Sequence, residues 1–274
     1  MGTLTMPRLR AFPVPEGSLT LWWLGQAGFV VKSPGGKIAA IDPYLSNSCK
    51  AIGDSLGFDM DRLVPPPMLP ADLVGIDAYA LTHTHQDHLD PETLLPYRAA
   101  GGAGPFIAPA ETIEKLHAMG IPETQTVLIW PNKSLTIGDL TMRATFAIPY
   151  AGDDLTHVGY LVSVRGGPKF YVTGDTGFHE ILALSLAEHR PEVIAVVING
   201  TFRSMGPAEA ANLARLLDPK VVIPCHYDLF RSNLQSPQTL LTNMKILGIG
   251  EKFRLVEPGR PFTFPEPAGT AGPA

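Results

Sequence analysis

The run Leu81-Thr82-His83-Thr84-His85-Gln86-Asp87-His88-Leu89-Asp90 puts three imidazoles and a carboxylate within six residues. It follows directly on an apolar stretch, Ile76 to Ala80, that reads as a strand. Neutral imidazole nitrogens and carboxylate oxygens suit zinc, manganese, iron or nickel, and a ligand set without thiolate argues against a purely structural zinc site. The chemistry expected of this loop is metal catalysis. A lone histidine is ordinarily a satisfied surface or core residue, but His-x-His-x-Asp-His at a strand end reads as a metal-binding loop. In an extended loop His83 and His85 point the same way, while Asp87 and His88, being adjacent, diverge and can serve two neighbouring ions.

This segment resembles the signature of the metallo-β-lactamase superfamily, whose members close the site with a later His, a bridging Asp and a C-terminal His, each at a strand end. The resemblance implies Asp175 as the bridging carboxylate, since Lys169-Phe170-Tyr171-Val172-Thr173-Gly174-Asp175-Thr176-Gly177 is a short β-rich run entering a Gly-flanked turn. Val221-Val222-Ile223-Pro224-Cys225-His226-Tyr227-Asp228 repeats that design and implies His226 as the last ligand. Read alone, either segment is equally a turn after a strand. The middle histidine is harder to place, because the strand Thr141 to Ile148 ends in Pro149-Tyr150-Ala151-Gly152, which holds no imidazole. His157, in Asp153-Asp154-Leu155-Thr156-His157-Val158-Gly159-Tyr160, begins the next strand and reaches the same place across the hairpin. Without it, one metal is held by fewer protein groups, the enzyme is mononuclear, and Asp153 and Asp154 are the substitutes. The expected metal set is thus His83, His85, Asp87, His88, His157, Asp175 and His226, holding one or two divalent ions.

Within the superfamily the chain resembles the L-ascorbate-6-phosphate lactonase branch over most of its length. The likeness runs through Trp23-Leu24-Gly25-Gln26-Ala27-Gly28-Phe29, Ile41-Asp42-Pro43-Tyr44-Leu45-Ser46-Asn47, the histidine loop and Val221 to Asp228. The chain departs from that branch in being shorter and in carrying His157, which puts a sugar-phosphate substrate in doubt. Superfamily habit favours zinc and the lactonase branch manganese, and His and Asp ligands accept either. Ions held there lower the pKa of bound water from about 15.7 toward about 7, so the expected nucleophile is a metal-bound hydroxide. It would attack an ester, lactone or amide carbonyl, or a phosphorus centre, with Asp87 ligating one ion and orienting the hydroxide.

Around these residues, Asp42, Thr82 and Asp228 lie at or near strand ends and either fix imidazole tautomers or cap turns. Arg203, in a loop preceding a helix amino terminus, is either a phosphate ligand or a solvated cation. Cys225 is either a metal ligand or a small buried strand residue. His117, His179 and His189 fall in or beside expected helices and read as surface residues. Three functions follow. The first is a lactonase or related carbonyl hydrolase acting on a small molecule, the second a phosphodiesterase or phospholipase-like hydrolase, and the third a non-catalytic metal-binding module.

The elements that must position these groups alternate. Leu19 to Leu24, Gly28 to Lys32 and Lys37 to Ile41 read as a strand meander with Ser33-Pro34-Gly35-Gly36 as a turn. Leu45 to Pro70 reads as an irregular loop, either covering the active site or making a surface excursion. Asp90-Pro91 is an N-cap followed by Pro at the first helical position, so a helix should start behind the metal loop. Further helices are expected over Ala110 to Ala118, Gly177 to Ala187, Pro207 to Leu217 and Ser236 to Leu247, with strands between them. Each half therefore offers a sheet with helices on its outer face. The superfamily resemblance stacks the two as an α/β (α+β) fold, a four-layer αββα sandwich.

The 274 residues, 45% of them hydrophobic, suffice for one domain over residues 1–264, with a disordered tail from Pro265 to Ala274. Two distant cysteines, Cys49 and Cys225, imply no disulfide framework and fit a reducing, cytoplasmic compartment. A net charge of −5 without basic clusters excludes the electrostatic footprint of a nucleic-acid binder. No apolar run is long enough to span a bilayer, so no membrane partner is expected. A small-molecule substrate is, and the family resemblance permits a homo-oligomer.

Overall fold

The computed structural model describes residues 4–149 and 154–266. The substitute ligand Asp153 and most of the tail expected to be disordered lie outside the described residues. In chain order the strands are β1 (Leu19–Gly25), β2 (Gly28–Lys32), β3 (Ile38–Ile41), β4 (Ala78–Ala80), β5 (Phe106–Ala108), β6 (Thr126–Leu128) and β7 (Ser134–Ile137). They continue as β8 (Leu140–Phe146), β9 (Val158–Val164), β10 (Lys169–Val172), β11 (Val193–Val197), β12 (Val221–Cys225) and β13 (Pro261–Phe264). The helices are α1 (Met6–Ala11), α2 (Cys49–Leu56), α3 (Pro91–Ala99), α4 (Ala110–Ala118), α5 (Glu180–Leu186), α6 (Pro207–Leu217) and α7 (Pro237–Ile246).

Two mixed sheets result, ordered β13-β1-β2-β3-β4-β5-β6 and β12-β11-β10-β9-β8-β7. Strand β1 shows why they must be covered on both faces. Its odd positions, Leu19, Leu21 and Trp23, belong to the core between the sheets. Trp22 and Leu24 instead join Leu9, Leu94, Tyr97 and Leu116 of the outer helices. Period-two alternation with apolar residues on both sides is the pattern of a strand sandwiched between two layers. Across the middle, Phe29 of β2 meets Phe170 of β10 edge-to-face at 5.4 Å, an arrangement that adds about 0.5–1.5 kcal/mol beyond burial. The Tyr160 hydroxyl of β9 donates to the Leu81 carbonyl at 2.9 Å and lies 3.1 Å from that of Ile107, tying the second sheet to the start of the histidine loop. With α1, α3 and α4 outside one sheet and α5, α6 and α7 outside the other, the expected four-layer sandwich is the fold.

The parallel units are β3-β4-β5-β6 and β10-β11-β12, so their carboxyl ends deliver Asp42, Thr82, Asp175, Asn199 and His226 to one edge. Such carboxyl ends are where open α/β sheets place their ligands. Helix α3 starts as the sequence predicts, with the Asp90 side chain accepting from Glu92 N–H and Pro91 following it. The bounds of α4 and α6 match the predicted ones, and Ser236 caps α7.

Leu45 to Pro70 departs from expectation. It contains α2, whose signal is weak because Ser48 makes no side-chain cap and Gly53 interrupts the helix. That glycine is a packing requirement, since a Cβ there would sit 2.6 Å from the Phe58 carbonyl. Helix α1 was also not anticipated. Its last turn is held by buried Lys32, whose ammonium donates to the carbonyls of Leu9, Arg10 and Phe12 at 2.6–2.9 Å. Replacing it with Met orphans those carbonyls, and Lys32→Met is expected to lose about 1–3 kcal/mol, read as a lower urea midpoint at unchanged slope.

Candidate metal centre

Asp42 leaves β3 in the left-handed region, at φ 42°. Its carboxylate is fully buried and takes three contacts: Thr82 N–H at 2.8 Å, Thr82 O–H at 2.5 Å and His88 Nδ1 at 2.8 Å. Thr82 donates its proton to Asp42, so its oxygen is left to accept from His83 Nδ1 at 3.0 Å. His157 Nδ1 faces the Asp175 carbonyl at 3.2 Å. Each of these three rings thus gives its Nδ1 proton to an oxygen behind it and turns Nε2 forward, the orientation that second-layer acceptors impose on ligating histidines. Asp42 and Thr82 thus stand behind the rings of His88 and His83.

Asp175 arrives on the turn after β10, and Gly174 permits the approach: its φ is 62°, and a Cβ would lie 2.7 Å from the Val158 carbonyl and 3.2 Å from Thr82 Cβ. His226 follows β12, its backbone N–H bonded to the Gln26 carbonyl at 2.8 Å. Three groups of donors come together, with atoms within 4.8 Å of one another: His83, His85 and His157; His83, His88 and Asp175; and Asp87, His88 and His226. Asp175 makes the middle group with His83 and His88, and its Oδ1 and Oδ2 stand 3.4 Å from His88 Nε2 and 3.3 Å from His226 Nε2. All seven residues of the predicted set converge. One detail differs, because Asp87 and His88 do not diverge. Residues 86–88 form a turn closed by His88 N–H on the His85 carbonyl at 3.0 Å, which brings Asp87 Oδ2 and His88 Nε2 to 3.8 Å on the same side.

The donor chemistry fits divalent ions. Buried His88 Nε2 and Asp175 Oδ1 have no hydrogen-bond partner, an expensive arrangement that a cation between them would resolve. Burial, helped by the neighbouring imidazole of His88, pushes the His83 pKa well down, and burial lowers that of His157, so both present neutral lone pairs. Burial opposes ionisation of Asp175, yet His226 and His88 outweigh it and hold its pKa down to about 2. Burial likewise opposes a proton on His88, but Asp175, Asp87 and Asp42 raise its pKa well above the ordinary value. The negative field that favours a proton there favours a divalent cation equally. Cysteine chemistry is disfavoured, because burial raises the thiol pKa of both Cys49 and Cys225, and Cys225 is a core strand residue.

Two residues were left with alternative roles, and the structure places each. The Asp228 carboxylate accepts from Gln235 N–H at 2.8 Å and braces the loop after β12 instead of orienting an imidazole. Arg203 is exposed and does not line the cleft; its neighbours Thr201 and Phe202 do. His179 caps α5, its Nδ1 accepting from Ile181 N–H, in keeping with its exclusion from the metal set. Sequence reasoning missed Gln26, which is buried at φ 46° and donates from Nε2 to Asp87 Oδ2 at 2.7 Å while Asn233 donates to its Oε1 at 3.0 Å. Gln26 lay in a motif quoted for its likeness, but a glutamine in a β-turn carries no signal of a carboxylate partner 61 residues away. Four of the donors, His85, Asp87, Asp175 and His226, line a cleft of about 290 Å³. A larger groove of about 590 Å³ between α5 and α6 is lined by none of them.

Residues 40–227 match the model of the Beta-lactamase superfamily domain. A UPF0173 metal-dependent hydrolase of Myxococcus xanthus is 34% identical over 255 residues, 89% of this chain and 83% of that protein. The chain belongs to the metallo-β-lactamase superfamily, among the UPF0173 metal-dependent hydrolases. Among solved structures, the novel metallo hydrolase Igni18 of Ignicoccus hospitalis superposes with a TM-score of 0.69 at 22% identity, covering 90% of this chain and 98% of that one. The diiron β-hydroxylase CmlA of Streptomyces venezuelae superposes at 0.65 and 17% identity, over 92% of this chain and 55% of that one. The fold is thus shared with proteins described as doing different chemistry, and the reaction has to be argued from the site.

Proposed function

We propose that this protein is a hydrolase that uses one or two divalent metal ions, zinc or manganese, to open a lactone or cleave an ester of a small molecule. The observation that carries the reading is a chain of three overlapping donor groups, the middle one His83, His88 and Asp175, beside a cleft that Asp87 and Asp175 line. His83, His85 and His157 would hold one ion, Asp87, His88 and His226 the other, and Asp175 would touch both. A divalent ion supplies Lewis acidity there, acidifying bound water and drawing charge from a carbonyl oxygen. The chain's own groups do the rest. Asp42 and Thr82 fix the rings of His88 and His83. Gln26 anchors Asp87 Oδ2, so that this carboxylate stays aimed at the cleft. Asp87 and Asp175, both held ionised, are the groups able to take a proton from attacking water. For a lactone the leaving alkoxide remains part of the product.

Elemental analysis of protein purified without added metal, beside His157→Ala and with lactone, ester and phosphodiester panels, tests this reading. About two ions per chain, falling toward one in His157→Ala together with loss of lactone or ester turnover, is the expected result. Turnover confined to phosphodiesters would replace the carbonyl reading. Bound metal without turnover on any panel would leave a metal-binding module.

A further inference from the structure

The walls of the cleft have a composition that its floor does not. Above the donors stand Ile52 and Leu56 of α2, Phe58 and Met60 after it, and Phe202 and Phe230 opposite. Phe58 and Phe202 meet edge-to-face at 6.0 Å although both are about half exposed. Phe202 and Arg203 hold successive left-handed conformations, φ 50° and 59°. Backbone strain at two non-glycine residues persists only where something compensates it, and such outliers cluster at ligand clamps.

Charge on the lining is one-sided. Among the described residues that line the cleft are Asp87 and Asp175, and neither Lys nor Arg. Arg62, close to the lining residue Cys49, commits its guanidinium to the carbonyls of Tyr44 and Ser46 at 3.0 and 3.1 Å and to that of Val64 at 2.8 Å. A phosphate or carboxylate tail beyond the reacting carbonyl would lose water against aromatic walls without finding a cationic partner. An alkyl or aryl tail would be desolvated favourably. A polar floor under apolar walls demands a substrate divided the same way.

Resting on the hydrolase reading above, we infer that the substrate is an uncharged ester or lactone with a compact alkyl or aryl tail, seated between Ile52, Leu56, Phe58, Met60, Phe202 and Phe230. The cleft's volume is at the small end of ligand pockets, about 300–1,000 Å³, so the tail is short. The same lining, without a cationic side chain, disfavours the sugar-phosphate substrate of the lactonase branch.

The test uses the full chain reconstituted with zinc. Turnover is measured on p-nitrophenyl acetate, butyrate and hexanoate, on γ-butyrolactone and γ-octalactone, and on glucono-δ-lactone 6-phosphate. Binding of acetohydroxamate and hexanohydroxamate is measured by calorimetry, independently of turnover. Half-exposed Phe202 is replaced by Ser, and Phe58 is replaced in a second variant. The expected result is a rise of about tenfold or more in kcat/KM from the shortest to the longest neutral substrate, of the size hydrophobic pockets give. Hexanohydroxamate should bind tighter than acetohydroxamate in parallel, and Phe202→Ser should flatten both slopes below threefold. A flat chain-length series, or a 6-phosphate lactone preferred over neutral lactones, overturns the assignment while leaving the hydrolase reading intact. No turnover with a chain-length slope still present in hydroxamate binding sinks the hydrolase reading and keeps the apolar cleft. No turnover and no slope sinks both.

Discussion

Asp175→Asn is expected to lower kcat/KM on lactones or esters by about 10³-fold or more, the scale of several kcal/mol of metal-supplied stabilisation. The two side chains have the same shape, so the change removes charge and little else. That charge links the halves through the group His83, His88 and Asp175, whose donor atoms lie within 4.8 Å of one another, and its Oδ2 also stands 3.3 Å from His226 Nε2. An amide would offer one neutral oxygen where two charged ones stand. Metal content should fall with activity, and circular dichroism should show the fold unaltered, because the turn geometry rests on Gly174. A variant that keeps full metal content and turnover within tenfold of the parent would remove Asp175 from its bridging role.

Asp42 separates stability from metal binding. Asp42→Ala withdraws a buried carboxylate from Thr82 N–H, Thr82 O–H and His88 Nδ1, and places alanine at φ 42°. Breaking such a buried charged contact costs about 3–5 kcal/mol, visible as a large drop in the urea midpoint. Asp42→Asn should recover much of that, since asparagine tolerates the left-handed region and its oxygen can still take Thr82 N–H. It should not restore the site. The amide NH₂ would then face His88 Nδ1–H, donor against donor, and the ring would be driven to the tautomer whose Nε2 carries the proton. Metal affinity and activity in Asp42→Asn should therefore stay about 10–100-fold down, measured by competition with a chelator. If Asn restores both stability and metal affinity, Asp42 is only a turn cap.

Much of the site was legible because its donors are of unusual type and sit where strands end. His83, His85, Asp87 and His88 share one loop, so local spacing alone reported them. Asp175 and His226 needed the family resemblance, because a carboxylate in a Gly-flanked turn or a histidine after a strand is common in any α/β chain. His157 was legible only as a strand's first residue, and its place follows from β9 running antiparallel to β10, which returns its start to the edge where Asp175 emerges. The roles of Arg203 and Asp228 stayed open in the sequence for one reason: proximity in sequence to a ligand or a helix start does not say which way a side chain turns. The irregular reading of Leu45 to Pro70 failed where Gly53, a poor helix residue by propensity, is held in α2 by close packing on Phe58.

What the sequence by itself determined is the donor loop of His83, His85, Asp87 and His88 and most of the strands and helices around it. Those are set by residue type, by alternation and by caps, all of which act over a few positions. What only the tertiary structure decided is the pairing of Gln26 with Asp87, the Asp42–Thr82–His88 network and the apolar walls that narrow the substrate class. Each joins segments dozens to hundreds of residues apart. Their contact depends on how two sheets stack and where each strand stops, which local pattern does not encode.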